Sequence, residues 1–358
     1  MKKIFCNVSL PERNAAIKRS CNRKTKNIPQ SHKILAPSYL DLYSERNHQK
    51  FVGFIKDLKE IRTKKNITIC FRNTTRITAA AGLLLVSEVD SLLKKFPETK
   101  ISCTLPTINR KGHYKQQDFI VESVLEKIGF LNLLNIRKKK YPAYAHVQCW
   151  EPLKGIDVSS MKAGQLMLSI QKQFSLSNQA RSTLYRGVLE AMANSVEHAY
   201  NAGHSLTSTK WWMFVGVFEK KLTIIVCDLG VGIPKTLPKN HSKSVLKKIF
   251  SLLGENYSTN SDGALIRAST YIKRTRTEED HRGKGGNDLR SLIEYYPQAI
   301  LSIYSNKGTF TAYGQDVPKI RKIRGKRPLI VEREKTYSQG IEGTIIEWTI
   351  PINSLEQS

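Results

Sequence analysis

Within the segment LYRGVLEAMANSVEHAY, Glu190, Asn194 and His198 recur at every fourth position. At ~100° per residue such a series drifts only ~40° per step, so a helix would carry a carboxylate, an amide and an imidazole on one face. A carboxylate beside an amide oxygen suits Mg2+, a hard cation that keeps several waters and is completed by substrate phosphates. The same carboxylate could instead polarise an attacking water. Leu184, Val188, Ala191 and Ser195 occupy the adjoining face, which the helix can bury. Taken alone, the series also fits an ordinary amphipathic helix with a polar flank.

Two further segments have chemical potential. CDLGVGIP ends an apolar run with Asp228, Gly230, Gly232, Ile233 and Pro234. Glycines at a strand end let backbone approach a ligand closely, and an Asp leaving an apolar strand is costly to bury unless a donor such as an adenine amino group meets it. HRGKGGNDLRSLIE places Gly283, Gly285 and Gly286, with the cation Lys284, just ahead of a predicted helix. Backbone amides that lead into a helix N-terminus favour phosphate. Each segment by itself is also compatible with a plain turn or a flexible connection.

These residues need a scaffold. The chain has 358 residues, 40% hydrophobic and 25% charged, which is enough for about two domains with a real core and excludes a disordered or collagen-like polymer. The 58 Lys+Arg against 30 Asp+Glu give +28, a field that attracts anions. Residues 1–36 read as a basic arm. Residues 37–150 alternate helix and strand: a helix in DLYSERNHQKFVGFIKDLKEI, a strand ITICF, a helix TAAAGLLLVSEVDSLLKKF, a strand ISCTL and a helix DFIVESVLEKIGFLNLL. A boundary is expected between about residues 140 and 165. Beyond it come a helix over about 175–200, paired strands WWMFVGVF and LTIIVCDLG, a polar and mobile insert over 235–282, a helix over 287–295, and strands AILSIYS, GTFTAYG and GTIIEWTIP. The basic run Lys319 to Arg327 is expected in a loop between the last two strands. Cys6, Cys21, Cys70, Cys103, Cys149 and Cys227 show no metal-ligand spacing, so free thiols and no zinc are expected. No apolar run reaches the ~18–20 residues of a bilayer helix and no signal core develops, so a cytoplasmic protein with no membrane association is expected.

In order and spacing, Glu190-x3-Asn194-x3-His198, Asp228-x-Gly230-x-Gly232-Ile233-Pro234, Gly283-x-Gly285-Gly286 and Gly343-Thr344 resemble the sequence boxes of the GHKL (Bergerat-fold) ATPases. That family includes gyrase B, MutL, histidine kinases and anti-sigma-factor kinases. The resemblance implies an α/β sandwich over residues 160–352, a mixed sheet with helices on one face, and a lid over about 235–286. It implies ATP and Mg2+ as cofactors. Glu190 would be the general base and share the metal with Asn194, Asp228 would meet adenine, and Thr344 would assist through water. Gly230, Gly232 and Ile233 would line the base pocket, with Lys284, Gly285 and Gly286 at the phosphates. His198 would stand near phosphate or be structural. The form GKGGNDL departs from the family's usual G-x-G-L-G-L.

Residues 50–136 more faintly resemble STAS domains, the anti-sigma-factor-antagonist fold. Where phosphorylatable members begin their helix Asp-Ser-Ser-Gly, this chain reads Thr78-Ala79-Ala80-Ala81-Gly82, so Ala81 cannot accept phosphate. Thr74, Thr75 and Thr78 remain as acceptors or as turn and capping residues. Three functions are compatible with these features. One is a Mg-dependent ATPase that switches a partner protein, with a homodimer compatible, in bacterial stress signalling or antiphage defence. Another is a Ser/Thr kinase of the anti-sigma-factor type; a histidine kinase is disfavoured because His32, His48, His113 and His146 lack a dimerisation hairpin. The last is a nucleic-acid module with ATP-dependent clamping, its phosphate contacts from Lys319 to Arg327 and Arg137 to Lys140.

Overall fold

The structure, a computed structural model, describes residues 31–60, 66–106, 120–136, 147–149, 152–200, 208–218, 220–256, 258–272, 285–296, 298–314 and 330–356. The expected sites Gly283, Lys284, Arg137 to Lys140 and Lys319 to Arg327 lie outside the described residues.

The first unit is built on β1 (His32–Leu35), β2 (Tyr39–Leu40), α1 (Glu45–Glu60), β3 (Asn66–Cys70), β4 (Arg76–Ile77), α2 (Ala79–Lys95), β5 (Lys100–Thr104), α3 (Ile120–Lys127) and α4 (Phe130–Leu133). β1, β3 and β5 pair in parallel in that order, with Ile34 opposite Ile69 and Ile69 opposite Cys103. β2 and β4 form a separate parallel pair. Two sequence expectations change here. β1 falls inside the region read as a basic arm, because one buried Ile34 between exposed neighbours leaves almost no periodic signal. The single helix expected over 118–134 is two, broken where Gly129 takes a left-handed φ of 81°. Thr78 precedes α2 without capping it; its hydroxyl donates to the Leu40 carbonyl at 3.2 Å.

The second unit holds β6 (Val147–Cys149), β7 (Leu153–Gly155), α5 (Ser160–Gln173), α6 (Asn178–Glu197), β8 (Trp211–Phe218), β9 (Lys221–Asp228), α7 (Ile233–Asn240), α8 (Lys243–Leu252), α9 (Asp262–Ser269), α10 (Gly285–Tyr295), β10 (Ile300–Ser305), β11 (Gly308–Gly314), β12 (Ile330–Thr336), β13 (Thr344–Pro351) and α11 (Ile352–Leu355). Its eight-stranded sheet runs β12-β11-β10-β13-β9-β8-β6, with β7 also on β8. All the pairings described in it are antiparallel, so the sheet is not mixed as expected. Hairpins and meanders supply its neighbours, and no parallel crossover is needed. β12 is an additional strand that sequence reading passed over, since IVEREKT has weak alternation and edge exposure. The run Lys319 to Arg327 therefore lies between β11 and β12, not between the last two strands.

Both faces of this sheet are covered. Trp211, Met213, Val215, Ile224, Val226, Leu301 and Trp348 point toward α5, α6 and α10. Their alternates Trp212, Phe214, Ile225, Cys227, Tyr304 and Ile345 share a core with the first unit. Two-sided burial is why these strands read as continuous apolar runs. It also explains α2, which is buried around nearly its whole circumference because it packs against α1, α4 and the large sheet. The helices-on-one-face arrangement is thus completed by the first unit on the opposite face. Among the described residues no helix is long and apolar enough to cross a membrane.

Polar side chains inside this contact are individually partnered. The Trp212 indole N–H donates to Asp90 Oδ2 at 2.9 Å, and Lys154 meets Asp90 Oδ1 at 2.9 Å. Lys59 lies 2.7 Å from both Glu88 and Glu342. The Tyr43 hydroxyl donates to Glu347, 2.7 Å from Oε1 and 2.9 Å from Oε2. Burial pushes the Glu347 carboxyl up to about 7 even though the Tyr43 hydrogen bond works the other way.

A carboxyl raised above its unfolded value of ~4.3 stabilises the fold in its protonated form. That stability is complete below about pH 4 and is lost as pH rises through about 7. Glu347→Gln keeps an acceptor for Tyr43 and removes the titration. Its melting temperature should therefore vary less between pH 5 and 8 than that of the natural chain, with a relative gain of several degrees at pH 8. Parallel pH profiles for the two proteins would show that Glu347 is already ionised at pH 5.

Candidate active site

α6 begins at Ser177, whose hydroxyl accepts from the Ala180 amide at 3.1 Å. Leu184, Val188, Ala191 and Ser195 are buried, as their spacing requires, and this rotation leaves Glu190 and Asn194 at the half-buried flank. The helix stops at Glu197. His198 is its C-cap, with its amide bonded to the Asn194 carbonyl at 3.1 Å and its ring half-exposed 3.8 Å from Glu197.

Asp228 closes β9, directly opposite Thr344 of β13. Its side chain is buried, and burial pushes its carboxyl up to about 7, opposed by the amides of Gly230 and Thr344. The Gly230 amide donates to Oδ1 at 2.9 Å. The chain then folds back against the end of α6, where the Val231 amide meets the Ala199 carbonyl at 2.7 Å. A Cβ at Gly230 would overlap that same carbonyl, so glycine is required for close approach. Ser305 ties the floor together: its hydroxyl accepts from the Ile233 amide at 2.9 Å, donates to the Gly343 carbonyl at 3.0 Å and lies 2.9 Å from the Thr344 hydroxyl. α7 starts at Ile233 with Pro234 in its first turn, where a missing N–H costs nothing.

These elements enclose a cleft of about 810 Å³. That lies within the ~300–1,000 Å³ of small-molecule sites. Glu190, Asn194, His198, Asp228, Gly232, Ile233 and Thr344 all line it. Gly230 does not: it stands behind the wall, against Ala199, and shapes the pocket by backbone approach rather than by contact. Gly285 and Gly286 form the start of α10, and from this helix Leu289 reaches the cleft.

The far wall was not read from the sequence. Thr236, Lys239, Asn240, His241 and Ser242 from α7 and the turn into α8 supply it. The stretch expected to be a mobile, weakly periodic insert is helical over α7, α8 and α9, with a small core of Leu237, Leu246, Ile249, Phe250, Ala264, Leu265 and Ala268. These helices of eight to ten residues are too short to show strong periodicity, but Ser242 and Ser261 cap two of them and were the available signal. An ion network holds α9 and α10 to the sheet edge: Glu332 of β12 receives Arg290 at 2.7 Å and Arg267 at 2.7 Å.

Among the described residues no group of three or more His, Cys, Asp and Glu is placed to hold a metal ion. Glu190 and Asn194, one helical turn apart on the cleft wall, still fit a Mg2+ ion that takes one or two protein oxygens and draws its other ligands from phosphate and water. Compared with known proteins, the chain matches no family model and no curated sequence.

Proposed function

We propose that the cleft binds ATP with Mg2+ and that the chain is an ATPase whose nucleotide state regulates a partner protein. One observation carries the reading: residues from three separated segments, Glu190 and Asn194, Asp228 to Ile233, and Thr344, line a single cleft of sufficient volume. In this reading Asp228 accepts the adenine amino group, with its carboxylate already oriented by the Gly230 amide. Glu190 takes the proton of the attacking water. Asn194 holds the metal beside Glu190, and the bound Mg2+ would neutralise phosphate charge. His198, half-exposed at the end of α6, lines the same cleft and would stand near phosphate or be structural. A route for the switch is supported by Glu342, which pairs with Lys59 of the first unit and immediately precedes the Gly343-Thr344 wall. A bacterial stress or antiphage role belongs to the same proposal by resemblance alone.

Asp228→Asn tests the adenine contact. If the amide oxygen takes the Gly230 hydrogen bond, its NH2 faces another donor, so ATP affinity should fall by about 10–100-fold, the worth of a hydrogen bond to a charged group. Equilibrium binding of a fluorescent ATP analogue reads this directly, and undiminished affinity would remove Asp228 from the site. Labelled ATP separates the remaining outcomes: free phosphate without labelled protein is the ATPase result, and label on a partner protein is the kinase result.

A further inference from the structure

The outer face of α7 and α8 borders the cleft wall and shares Lys239, Asn240 and Ser242 with it. From Leu229 to Gly254 the chain contains no acidic residue, and Lys235, Lys239, Lys243, Lys247 and Lys248 are all exposed there. Among the described residues none of the five is in an ion pair, and only Lys235 lies close enough to an acid to act on it, helping to hold the Glu342 carboxyl down. The small core underneath explains the display: Leu237, Leu246, Ile249 and Phe250 take the inner positions of both helices, which rotates the lysines outward.

Left alone, this arrangement is electrostatically unfavourable. Lys243 and Lys247 are like charges at i,i+4 on one helix. Lys243 is also the first residue of α8, where the helix dipole disfavours a cation, and neither helix has an acid in its first turn. An anionic occupant would relieve each of these terms.

We infer that this lysine face, at the mouth of the cleft, binds the phosphate backbone of a nucleic acid strand. The spacing suits it. Lysines four residues apart on a helix are ~6 Å apart along its axis, and each strand of a duplex offers a phosphate every ~3.4 Å, so successive lysines can meet about every second phosphate. Exposed polar side chains beside the lysines include Ser244 and Ser251, together with Asn240 and Ser242 at the cleft edge, small hydrogen-bonding groups of the kind that contact phosphate and sugar. Protein–protein interfaces are instead centred on aromatic and large apolar anchors. On α7 and α8 the exposed large apolar side chains are Val245, at the cleft, and Leu252, at the far end of α8. The surface uses none of the residues of the basic runs named from the sequence, and the inference does not depend on which nucleotide the cleft takes.

The test uses the full chain and a fluorescein-labelled oligonucleotide, single-stranded and duplex, with anisotropy measured across a salt series. A variant with Lys235, Lys243, Lys247 and Lys248 all replaced by Gln spares Lys239, which lines the cleft. Removing four phosphate contacts should lower the slope of log K against log [salt] by about 3 and weaken low-salt binding at least tenfold. The matching four-site Lys→Arg variant should keep the natural slope, and both variants should melt at the temperature of the natural chain, which shows that they fold. An unaltered slope in the Gln variant overturns the inference. So does displacement of the oligonucleotide by polyglutamate at equal charge concentration, which would assign the face to an acidic protein.

Discussion

Glu190→Ala is expected to leave ATP binding intact and to lower phosphate release by about 10²–10⁴-fold, the usual contribution of a positioned general base. The separation follows from geometry. Glu190 comes from the middle of α6, whereas the adenine contact proposed for Asp228 comes from the end of β9, across the cleft. Removing one should not disturb the other, because Asp228 is oriented by the Gly230 amide at the end of β9 while Glu190 is carried by α6. Steady-state phosphate release together with equilibrium binding reads both quantities. Turnover at the natural rate would move the base elsewhere, with Glu197 and His198, both on the cleft wall, the next groups to replace.

The second large effect is structural and acts on the same wall. Gly343 has a φ of 78°, and a Cβ there would overlap the Asp228 carbonyl oxygen. Gly343→Ala therefore combines a left-handed conformation that disfavours L side chains by ~1–2 kcal/mol with an overpacking cost of ~1–3 kcal/mol. The neighbouring backbone has little room to give: Asp228 and Thr344 are paired in the sheet, and the Gly343 carbonyl accepts from Ser305. The variant should lose roughly 2–5 kcal/mol of stability and bind ATP more weakly, since the strands carrying Asp228 and Thr344 must part to admit the methyl. Gly53→Ala and Gly164→Ala are the controls. Both lie within helices with nothing within 4 Å of the added methyl, and should be neutral or stabilising. Thermal melts of the three variants decide it: equal losses at all three positions would mean that Gly343 has no special constraint.

The proposed switch depends on how the first unit meets the nucleotide-side sheet. Lys59 joins Glu88 of α2 to Glu342, and Asp90 of α2 joins Trp212 of β8 to Lys154. Isolated surface pairs of this kind contribute little, but Glu88 and Asp90 are buried, and losing a partner from a buried carboxylate is costly. Any nucleotide-driven shift in the Gly343-Thr344 wall therefore reaches the first unit through groups that cannot remain unpaired.

Local features were legible because each is encoded within a few residues. The four-residue recurrence of Glu190, Asn194 and His198 specified a helix face, and the short continuous apolar runs of β9 and β13 specified strands. The glycines at 230 and 232 marked close backbone approach, whereas the positive φ of Gly343 was not legible in the sequence. Weak local signals were lost where an element is short or at an edge, as in β1 and β12, and where three short helices share one small core.

What only the tertiary structure decided is partnership. α2 reads in sequence as a helix rich in apolar residues, which states that it is buried but not that one of its partners is the large sheet. Asp228 and Thr344 are separated by more than a hundred residues yet face each other across one strand pair, and the lysines of α7 and α8 are arrayed by a core formed with α9. The reason is physical: hydrophobic periodicity fixes which way a side chain points, whereas packing is non-directional, so its choice of surface depends on shapes that no single segment contains.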